Sequence, residues 1–546
     1  MCAPLWFPHW KPWWPRDDPL TLSTPLGTVK GANVGSNVVR FTLPFAQPPT
    51  GDLRFANPQP LKNFTGHDAT QLPSACYQGN GGRGGNGPSE DCLYTTYYVP
   101  MNAHSNGNRL PFMVWYHGGS GIVGSASQDG LNAAQWASKQ NVIVVVPQYR
   151  LGLFGWLSTT DTLDEQQGGA PGATKVAGNQ AIRDVIAALQ QIPTLADVLY
   201  GDASKVTIMG QSSGATMMRA LLTAPSAQTL FNNAILVSDP MDYGLSSKDD
   251  NNFLGKLAMQ SLNCSDVACA RTKTADDILE ATDTAYTDGP KQNQRISGGT
   301  PWRGMIGDLI TSSIATTTHI QKDVIFTTVQ NEMGPTTGYF FSSQPAGATT
   351  LSLQGSLLSL GQAENIVFNQ DRGNIAANQT IYPVNSTLDD GIRIEFEELA
   401  TDGVWRCAVQ HNAYTLAQSG SKIWLAEWNI GATYVSNEQN SYCTTDSRVC
   451  HEDDIELIFG TVSNPTSQQQ KASKDMQTRY SNFAKSGIPN SPNSPPWQSV
   501  SSAIQLNIII VNQDGSTSIQ QTQHAPACAG DVWGNKVKFD YQLYTV

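Results

Sequence analysis

An α/β fold with a large, mostly parallel central sheet, helices on both faces and several insertions is the architecture that this sequence predicts. Short apolar runs rich in β-branched residues alternate along its 546 residues with stretches of helical periodicity. That alternation is typical of parallel strands joined by crossover helices. One such strand leads through a glycine-flanked serine turn directly into a helix. No repeat or linker divides the chain, so we expect residues 19–546 to form one large domain.

The predicted elements follow that alternation in order. Residues 1–18 carry tryptophans and prolines without periodicity and are expected to be an appendage. Two apolar runs, 110–116 and 141–149, have the composition of buried strands and flank a helix over 131–139. The later predicted elements are helix 179–191, strand 206–209, helix 215–222, strand 234–237, a less regular helical region 246–320, strands 324–329 and 422–428, and helix 469–485.

The charge and hydropathy of the chain exclude several kinds of partner. Its formal net charge is −12, and no basic cluster stands out against that excess of acids. We therefore expect no binding to nucleic acid or to an anionic membrane surface. No stretch approaches the roughly 18 uninterrupted apolar residues of a membrane-spanning helix, so stable membrane insertion is not expected either.

Cysteines and glycosylation sequons indicate an oxidising compartment. The nine cysteines include no C-x-x-C pair and no Cys/His metal spacing, so no metal site is predicted. Two pairs, Cys264/Cys269 and Cys443/Cys450, would close very short loops. Asn-x-Ser/Thr sequons occur at Asn63, Asn263, Asn378 and Asn385. We expect a secreted, disulfide-bonded glycoprotein, although the prolines at the N-terminus leave no recognisable signal peptide in this chain.

The serine turn has the sequence Gly210-Gln-Ser-Ser-Gly214, between a β-branched strand and a helix. A nucleophilic serine needs this arrangement, because the strained turn presents its hydroxyl at the end of the sheet. The two glycines allow the strand and the helix to approach closely. The helix also directs its positive N-terminal end at the reaction site. Ser212 is the candidate nucleophile.

The other candidate residues come from three separate stretches. His451 lies at a late loop-to-helix junction, and Glu332 follows a predicted strand, at the end of a parallel sheet where sites form. Asp323 and Asp454 are alternatives to Glu332 within a small slip of register. A strand also runs into the glycine-rich turn 117–121, of the kind that binds an oxyanion. The order serine, acid, histidine is that of α/β-hydrolases.

Six motifs in this order resemble the type-B carboxylesterase family, which includes the cholinesterases and the fungal lipases. Within this family the chain most resembles the fungal esterases, and the resemblance covers residues from about 22 to 539. It implies the α/β-hydrolase fold, a small-molecule ester as substrate and no cofactor. The motifs are Pro44-Phe-Ala-Gln-Pro-Pro-Thr-Gly-Asp-Leu-Arg-Phe, Ser89-Glu-Asp-Cys-Leu-Tyr, the His-Gly-Gly turn at 117–119, Tyr149-Arg-Leu-Gly-Leu-Phe-Gly, Gly210-Gln-Ser-Ser-Gly-Ala and His451-x-x-Asp-Ile-x-x-Ile-Phe-Gly.

The resemblance also implies residue roles. Ser212 would be the nucleophile, His451 the general base and Glu332 the acid that orients it. Backbone N–H groups of Gly119, Ser120 and Ser213 would hold the oxyanion. It further implies the disulfides Cys76–Cys92, Cys264–Cys269 and Cys407–Cys528. The bond Cys443–Cys450 is inferred from spacing alone and would pin the loop that carries His451, while Cys2 is left over.

Departures from the family pattern bear on the substrate. Gln211 replaces the usual glutamate before the nucleophile, which argues against cationic choline esters. Ser120 and Gly121 replace a glycine and an aromatic residue, so we expect the wall of the acyl pocket to be altered and the pocket to be wider than usual. The loop between Cys76 and Cys92 holds 15 residues, mostly glycine and polar, instead of an amphipathic lid.

These departures predict an open site for soluble, neutral short- to medium-chain or aryl esters. A lipase or sterol esterase acting on long-chain esters is the alternative within the same chemistry. A non-catalytic adhesion protein on the same fold is the alternative from another class, and such relatives usually lose the serine or the histidine. The sequence does not indicate an oligomeric state.

Three further polar features receive structural interpretations. His117 is expected to hold the oxyanion turn, and Asp184 to be a buried support. The acidic run at 452–454 could suggest calcium. A solvated helix N-terminus, favoured by the helix dipole, explains that run more simply.

Overall fold

An eleven-stranded sheet forms the centre of the molecule in the computed structural model. The structure describes residues 18–534, except 80–86, 104–107, 161–164, 294, 297, 315–319, 321, 354, 364–379, 523–525 and 530–531. The expected appendage (apart from residue 18), the sequon at 378 and most of the glycine-rich loop between Cys76 and Cys92 therefore lie outside the described residues. So does Cys2.

The elements are numbered in chain order. The strands are β1 Thr21–Thr24, β2 Gly27–Lys30, β3 Ala32–Asn33, β4 Val38–Pro44, β5 Ala75–Cys76, β6 Pro88–Ser89, β7 Tyr94–Pro100, β8 Leu110–Tyr116, β9 Ile143–Pro147, β10 Gly201–Gln211, β11 Asn233–Val237, β12 Asp323–Val329, β13 Leu351–Leu353, β14 Ser356–Leu358, β15 Ile423–Trp428, β16 Ile508–Val511 and β17 Thr517–Gln520. The helices are α1 Ala134–Gln140, α2 Gly152–Trp156, α3 Glu165–Gly168, α4 Gln180–Leu195, α5 Ser213–Leu221, α6 Lys248–Ser261, α7 Val267–Thr272, α8 Ala275–Gln292, α9 Gly334–Phe340, α10 Gly391–Thr401, α11 Cys407–Gln418, α12 Ile455–Phe459 and α13 Ser467–Ser486.

The order of strands across the central sheet is β17-β16-β15-β12-β11-β10-β8-β9-β7-β4-β3. The strands from β9 to β16 in this order run parallel to one another. Strand β17 at one edge and strands β7, β4 and β3 at the other are antiparallel to their neighbours. The prediction of an α/β fold with a mostly parallel sheet is confirmed.

Helices cover both faces of this sheet, and each face has its own hydrophobic cluster. Strand β8 shows how the period of two divides the side chains between them. Its Phe112 and Val114 belong to one cluster, whereas Met113 and Trp115 belong to the other. All four side chains are buried, as expected for a central strand with helices on either side.

Helix boundaries follow local capping chemistry. Helix α13 begins after Thr466, whose hydroxyl accepts a hydrogen bond from the N–H of Gln469, while the Gln469 side chain accepts one from Thr466. It ends at Gly487, which has the left-handed φ of 74° that glycine adopts without strain. Among the described residues, no helix combines the length and the apolar character needed to cross a membrane.

Four disulfide bonds and two buried ion pairs tie distant parts of the fold together. The Asp184 carboxylate on α4 is fully buried and accepts hydrogen bonds from the Arg150 guanidinium at 2.7 Å. Arg219 on α5 pairs in the same way with buried Asp239. The disulfides are Cys76–Cys92, Cys264–Cys269, Cys407–Cys528 and Cys443–Cys450, the four pairs named in the sequence analysis.

Candidate active site

Ser212 stands between strand β10 and helix α5, at the carboxyl end of the parallel strands. Its backbone is in a strained conformation, with φ 55° and ψ −123°. The Ser212 N–H donates to the carbonyl of Val237 on neighbouring strand β11 at 2.9 Å, which anchors the turn to the sheet. The side chain is half-buried. A strand, a strained turn and a helix thus present this hydroxyl at the edge of the sheet.

Glycine is required on the helix side of that turn. A Cβ atom on Gly214 would lie 2.4 Å from the carbonyl oxygen of Tyr116 and 2.5 Å from that of His117. A Cβ on Gly210 would lie 2.4 Å from the carbonyl oxygen of Gly214. All three distances are far below van der Waals contact, so a larger residue at either position would push helix α5 away from β8 and β10.

Glu332 and His451 meet beside the serine. Glu332 follows strand β12 and its side chain is 0% exposed. Its Oε1 accepts a hydrogen bond from the Val329 N–H at 2.9 Å, and its Oε2 lies 2.5 Å from Nδ1 of His451. Burial lowers the pKa of His451, but the nearby Glu332 carboxylate more than offsets this, and the net pKa is raised above the ordinary histidine value. The glutamate thus fixes the ring and favours the imidazolium.

The loop that carries His451 is held on both sides. The disulfide Cys443–Cys450 immediately precedes the histidine, and Cys450 pairs with Asn331 through a parallel β-bridge next to Glu332. Asn437 Nδ2 donates to the carbonyl of His451 at 2.8 Å. The ring of Trp405 lies against the imidazole, with 5.6 Å between ring centroids. These contacts restrict where the imidazole can point.

The second ring nitrogen of His451 contacts Gln211. Gln211 is fully buried, and its Nε2 donates to Nε2 of His451 at 3.0 Å. The Ser212 hydroxyl has no hydrogen bond to His451 within the described part of the chain. The amide therefore occupies the lone pair that a general base would use to accept the serine proton. The residue type at 211 is evident from the sequence, but this contact, between residues 240 positions apart, is not.

The turn 117–121 faces Ser212 with an unusual backbone. Gly119, Ser120 and Gly121 all have positive φ, of 108°, 55° and 70°. The backbone N–H groups of Gly119, Ser120 and Ser213 donate to no group in the described residues, whereas Gly121 donates to Ser213 Oγ at 3.2 Å. Three N–H groups beside the nucleophile are thus available to an added acceptor.

His117 supports this turn from behind. It is buried, and its ring stacks on that of Tyr149 with 4.5 Å between centroids. The Nδ1 atom of His117 lies 2.8 Å from the carbonyl of Gly118, and the Tyr149 hydroxyl donates to the carbonyl of His117 at 2.7 Å. A Cβ on Gly118 would lie 3.0 Å from the Ser212 Cβ, so the turn packs directly on the nucleophile.

The acidic run at 452–454 differs from the expected solvated helix N-terminus. Asp453 and Asp454 are both buried, because the chain folds back over them. Asp453 accepts hydrogen bonds from the N–H groups of Tyr434 and Cys450, both at 2.8 Å, and braces the histidine loop. Within the described ranges, neither carboxyl oxygen of Asp454 has a hydrogen-bond partner. Burial, followed by repulsion from Glu332, raises the pKa of Asp454 to about 8, so this group is largely protonated at neutral pH.

The other acid considered for the role of Glu332 lies elsewhere. Asp323 is the first residue of β12 and accepts a hydrogen bond from the N–H of Lys422 at 2.9 Å, at the opposite end of the strand. One group of possible metal ligands, Asp402 with Cys407 and Cys528, occurs among the described residues. Its two sulfurs are joined in a disulfide and so are not available as thiolates.

A cleft of about 280 Å³ connects these groups. Most of its wall is neutral; the ionisable side chains that line it are Glu332, His451 and Glu452. The Glu452 carboxylate accepts a hydrogen bond from Ser436 Oγ. The residues that line the cleft are Gly119, Ser120, Ile122, Val123, Ser212, Pro240, Tyr243, Gly299, Thr300, Glu332, Pro335, Thr336, Trp405, His451 and Glu452.

Comparisons with known proteins agree with one another. The family model described as "Carboxylesterase family" matches residues 18–529. The chain is 27% identical to human "Cocaine esterase", over 86% of this chain and 82% of that protein. It is 28% identical to the "cAMP-regulated D2 protein" of Dictyostelium discoideum, over 89% of this chain and 88% of that protein. It is 26% identical to "Carboxylesterase 1C" of Rattus norvegicus, over 89% and 88%.

Proposed function

Because this chain belongs to the carboxylesterase family and is therefore a carboxylic-ester hydrolase, we propose that it hydrolyses soluble, neutral short- to medium-chain or aryl esters through an acyl-enzyme. The observation that carries this proposal is the convergence of three groups on one cleft. Ser212, Glu332 and His451 all line it, and the 2.5 Å contact between the last two orients the imidazole. The small-molecule ester would occupy the same cleft.

Acylation would begin with proton transfer from Ser212 to Nε2 of His451. The serine oxygen attacks the ester carbonyl carbon, and the carbonyl oxygen becomes an oxyanion beside the N–H groups of Gly119, Ser120 and Ser213. Each such donor is worth on the order of 3 kcal/mol in the transition state. The tetrahedral intermediate then expels the alcohol, which takes the proton from His451, and leaves the acyl group on Ser212.

Deacylation repeats these steps with water as the nucleophile. His451 removes a proton from the water, the hydroxide attacks the acyl carbonyl, and the Ser212 oxygen leaves with that proton. Glu332 stays ionised and stabilises the imidazolium in both half-reactions. Gln211 must release Nε2 of His451 before either transfer, since its amide N–H engages the same lone pair in the free protein.

The preference for neutral esters is supported by the residue at position 211. A carboxylate there would add negative charge next to the imidazole and next to a bound cation, whereas the amide of Gln211 adds none. A faster hydrolysis of butyrylthiocholine than of a neutral butyrate ester would contradict this part of the proposal.

The preference for short acyl chains is supported by volume and by the loop between Cys76 and Cys92. The cleft of about 280 Å³ lies at the lower end of the range of small-molecule sites. The loop is 15 residues long and glycine-rich by sequence, without the apolar stripe of a lipase lid. A lipase or sterol esterase would instead show a jump in rate when tributyrin exceeds its solubility limit.

We also propose that the protein folds in the secretory pathway. Four disulfide bonds support this, and so does the exposure of Asn63, Asn263 and Asn385 at three sequons. Expression in a eukaryotic secretory host should give a product whose mass falls on treatment with an endoglycosidase. A product without glycan that retains more than one free thiol per chain would contradict secretion.

The test of the catalytic proposal compares Ser212→Ala with the wild type on p-nitrophenyl esters from acetate to palmitate. We expect a peak at two to six carbons that is lost in the variant, together with covalent labelling of the wild type alone by a fluorophosphonate. Ser204→Ala is the matched control, because Ser204 is an exposed serine on the same strand, β10. A peak at long chains would favour the lipase, and the absence of both activity and label would favour the adhesion protein.

A further inference from the structure

A second, small cavity lies behind the oxyanion turn. Its water-accessible volume is about 10 Å³, which is close to the minimum needed to hold one water molecule. Two of the residues that line it, Gly121 and Ser213, also belong to the oxyanion turn or contact it. The cavity is lined by Gly121, Trp156, Ser213, Thr216, Met217, Thr300, Trp302, Arg303 and Gly304.

The charged group at this cavity is Arg303. Arg303 is 3% exposed, and its Nη1 donates to the carbonyl of Thr300 at 2.7 Å. Its Nε and Nη2 have no hydrogen-bond acceptor in the part of the chain that the structure describes. No carboxylate among the described residues lies within 4.0 Å of its guanidinium, in contrast to the buried Arg150 and Arg219, each of which pairs with a buried aspartate.

Two indole N–H groups at the same cavity also lack a hydrogen-bond acceptor among the described residues. Trp156 and Trp302 are buried, and Nε1 of each has no hydrogen-bond partner in the described part of the chain. Both side chains lie next to Gly121: a Cβ on this glycine would be 3.3 Å from Nε1 of Trp156 and 3.7 Å from Cβ of Trp302. The unmet groups of Arg303, Trp156 and Trp302 are therefore all donors, and they belong to residues that line the same cavity.

A buried charge without a counter-charge destabilises the folded protein, and each buried donor without an acceptor adds to that destabilisation. A water molecule would satisfy some of these donors, but it carries no charge to compensate the guanidinium. An anion would do both. Since the cavity admits about one water-sized particle, a monatomic anion comes closest to fitting it. Chloride is somewhat larger than a water molecule, so its binding would require a small outward shift of the lining side chains, whereas a carboxylate at the end of an acyl chain requires much more room.

We propose that this cavity is a binding site for a single small inorganic anion, chloride or another halide, held by the guanidinium of Arg303 and the indole N–H groups of Trp156 and Trp302. The anion would neutralise the guanidinium and fix the two indoles against Gly121. Because Gly121 also donates to Ser213 Oγ at 3.2 Å, the occupied cavity would stabilise the backbone on which the oxyanion donors lie.

The experiment measures thermal unfolding of the full chain in sodium gluconate and in sodium chloride or bromide at equal ionic strength. For a chain of this length, a halide concentration of 100 times Kd should raise the midpoint by about 2 °C. Arg303→Met should lose this response and be no less stable than the wild type in gluconate, since the variant removes an uncompensated charge. Arg109→Met, which removes a half-exposed surface arginine, should keep the response.

Three outcomes would overturn the proposal. The first is an equal midpoint in halide and gluconate for the wild type. The second is a halide response that persists in Arg303→Met. The third is a crystal grown in bromide that gives no anomalous signal beside Arg303, which would indicate water alone and does not depend on the variant folding.

A separate experiment tests whether Arg303 binds the carboxylate of a substrate instead of a halide. The value of kcat/KM is measured for a p-nitrophenyl hemisuccinate and for the neutral butyrate ester. With a halide in the cavity, we expect Arg303→Met to change the ratio of the two by less than twofold. A more than tenfold selective loss on the hemisuccinate would assign Arg303 to the carboxylate of an acyl group instead and overturn the halide site.

Discussion

Replacing Gln211 by glutamate tests the electrostatics of the site at one atom. The Gln211 amide lies 3.0 Å from Nε2 of His451, on the opposite side of the ring from Glu332. In Gln211→Glu a second carboxylate would contact the imidazole. Two unit charges at about 4 Å interact by about 4 kcal/mol at an effective dielectric constant of 20. Since about 1.4 kcal/mol corresponds to one pKa unit, the upper bound on the rise in the His451 pKa is about three units.

Two effects reduce that bound. The His451 side chain is 16% exposed, so water screens part of the interaction. The new glutamate would also be buried near Glu332 and Asp454, and this raises its own pKa. We therefore expect the His451 pKa to rise by at least about one unit. Only the neutral imidazole accepts the serine proton. As the pH is lowered, the variant should therefore lose activity at a higher pH than the wild type does.

The assay is the pH dependence of kcat/KM with p-nitrophenyl butyrate. The acidic limb should lie at least about one pH unit higher in Gln211→Glu than in the wild type, with about tenfold lower activity at any pH well below it. Gln470→Glu adds the same charge on the exposed face of α13 and should leave the limb in place. An unchanged limb in a folded Gln211→Glu would refute the reasoning.

Three other substitutions probe separate parts of the site. Glu332→Gln should lower kcat by on the order of 10⁴ with little change in KM, since the amide no longer stabilises the imidazolium; a loss below tenfold would argue against its role. Gly214→Ala should remove activity and fluorophosphonate labelling together, because the new Cβ would lie 2.4 Å from the Tyr116 carbonyl oxygen; full activity would show that the turn can relax. The pKa of Asp454 is raised to about 8 in the folded protein, whereas the unfolded chain releases this proton near pH 4. The folded state therefore binds one more proton between these values, and the free energy of unfolding falls as the pH rises from about 4 to about 8. Asp454→Asn lacks that dependence, and its thermal midpoint relative to the wild type should rise from pH 5 to pH 8; a constant difference would contradict the raised pKa.

Local sequence was sufficient where one short stretch determines the geometry. The turn around Ser212 is built from adjacent residues, and Gly210 is required by its contact with Gly214 inside the same strand–turn–helix unit. Gly214 is required by contacts with Tyr116 and His117, which belong to the neighbouring strand and turn. The alternation of strands and helices likewise predicts the parallel centre of the sheet. Strand direction at the edges was not predictable, because the hydrophobic period is the same in parallel and antiparallel strands.

Tertiary contacts explain what the sequence could not indicate. Three consecutive acids after His451 have the polarity of a solvated segment, yet Asp453 and Asp454 are buried. Asp453 accepts a hydrogen bond from the N–H of Tyr434, which belongs to a separate loop. The contact of Gln211 with His451 joins residues 240 positions apart. The unpaired state of Arg303 is a property of its surroundings, and no residue type in its own segment signals it.

The separation of the reacting groups along the chain has a consequence for how this protein unfolds. Glu332 and His451 are 119 residues apart, and their neighbours in the site come from the ends of β8, β10 and β12. Hydrolysis therefore requires several strands in the middle of the parallel region to be in register at the same time. Parts of a protein can open locally well before global unfolding. Enzymatic activity is accordingly a stringent reporter of assembly, and it should disappear at a lower denaturant concentration than the helical circular dichroism.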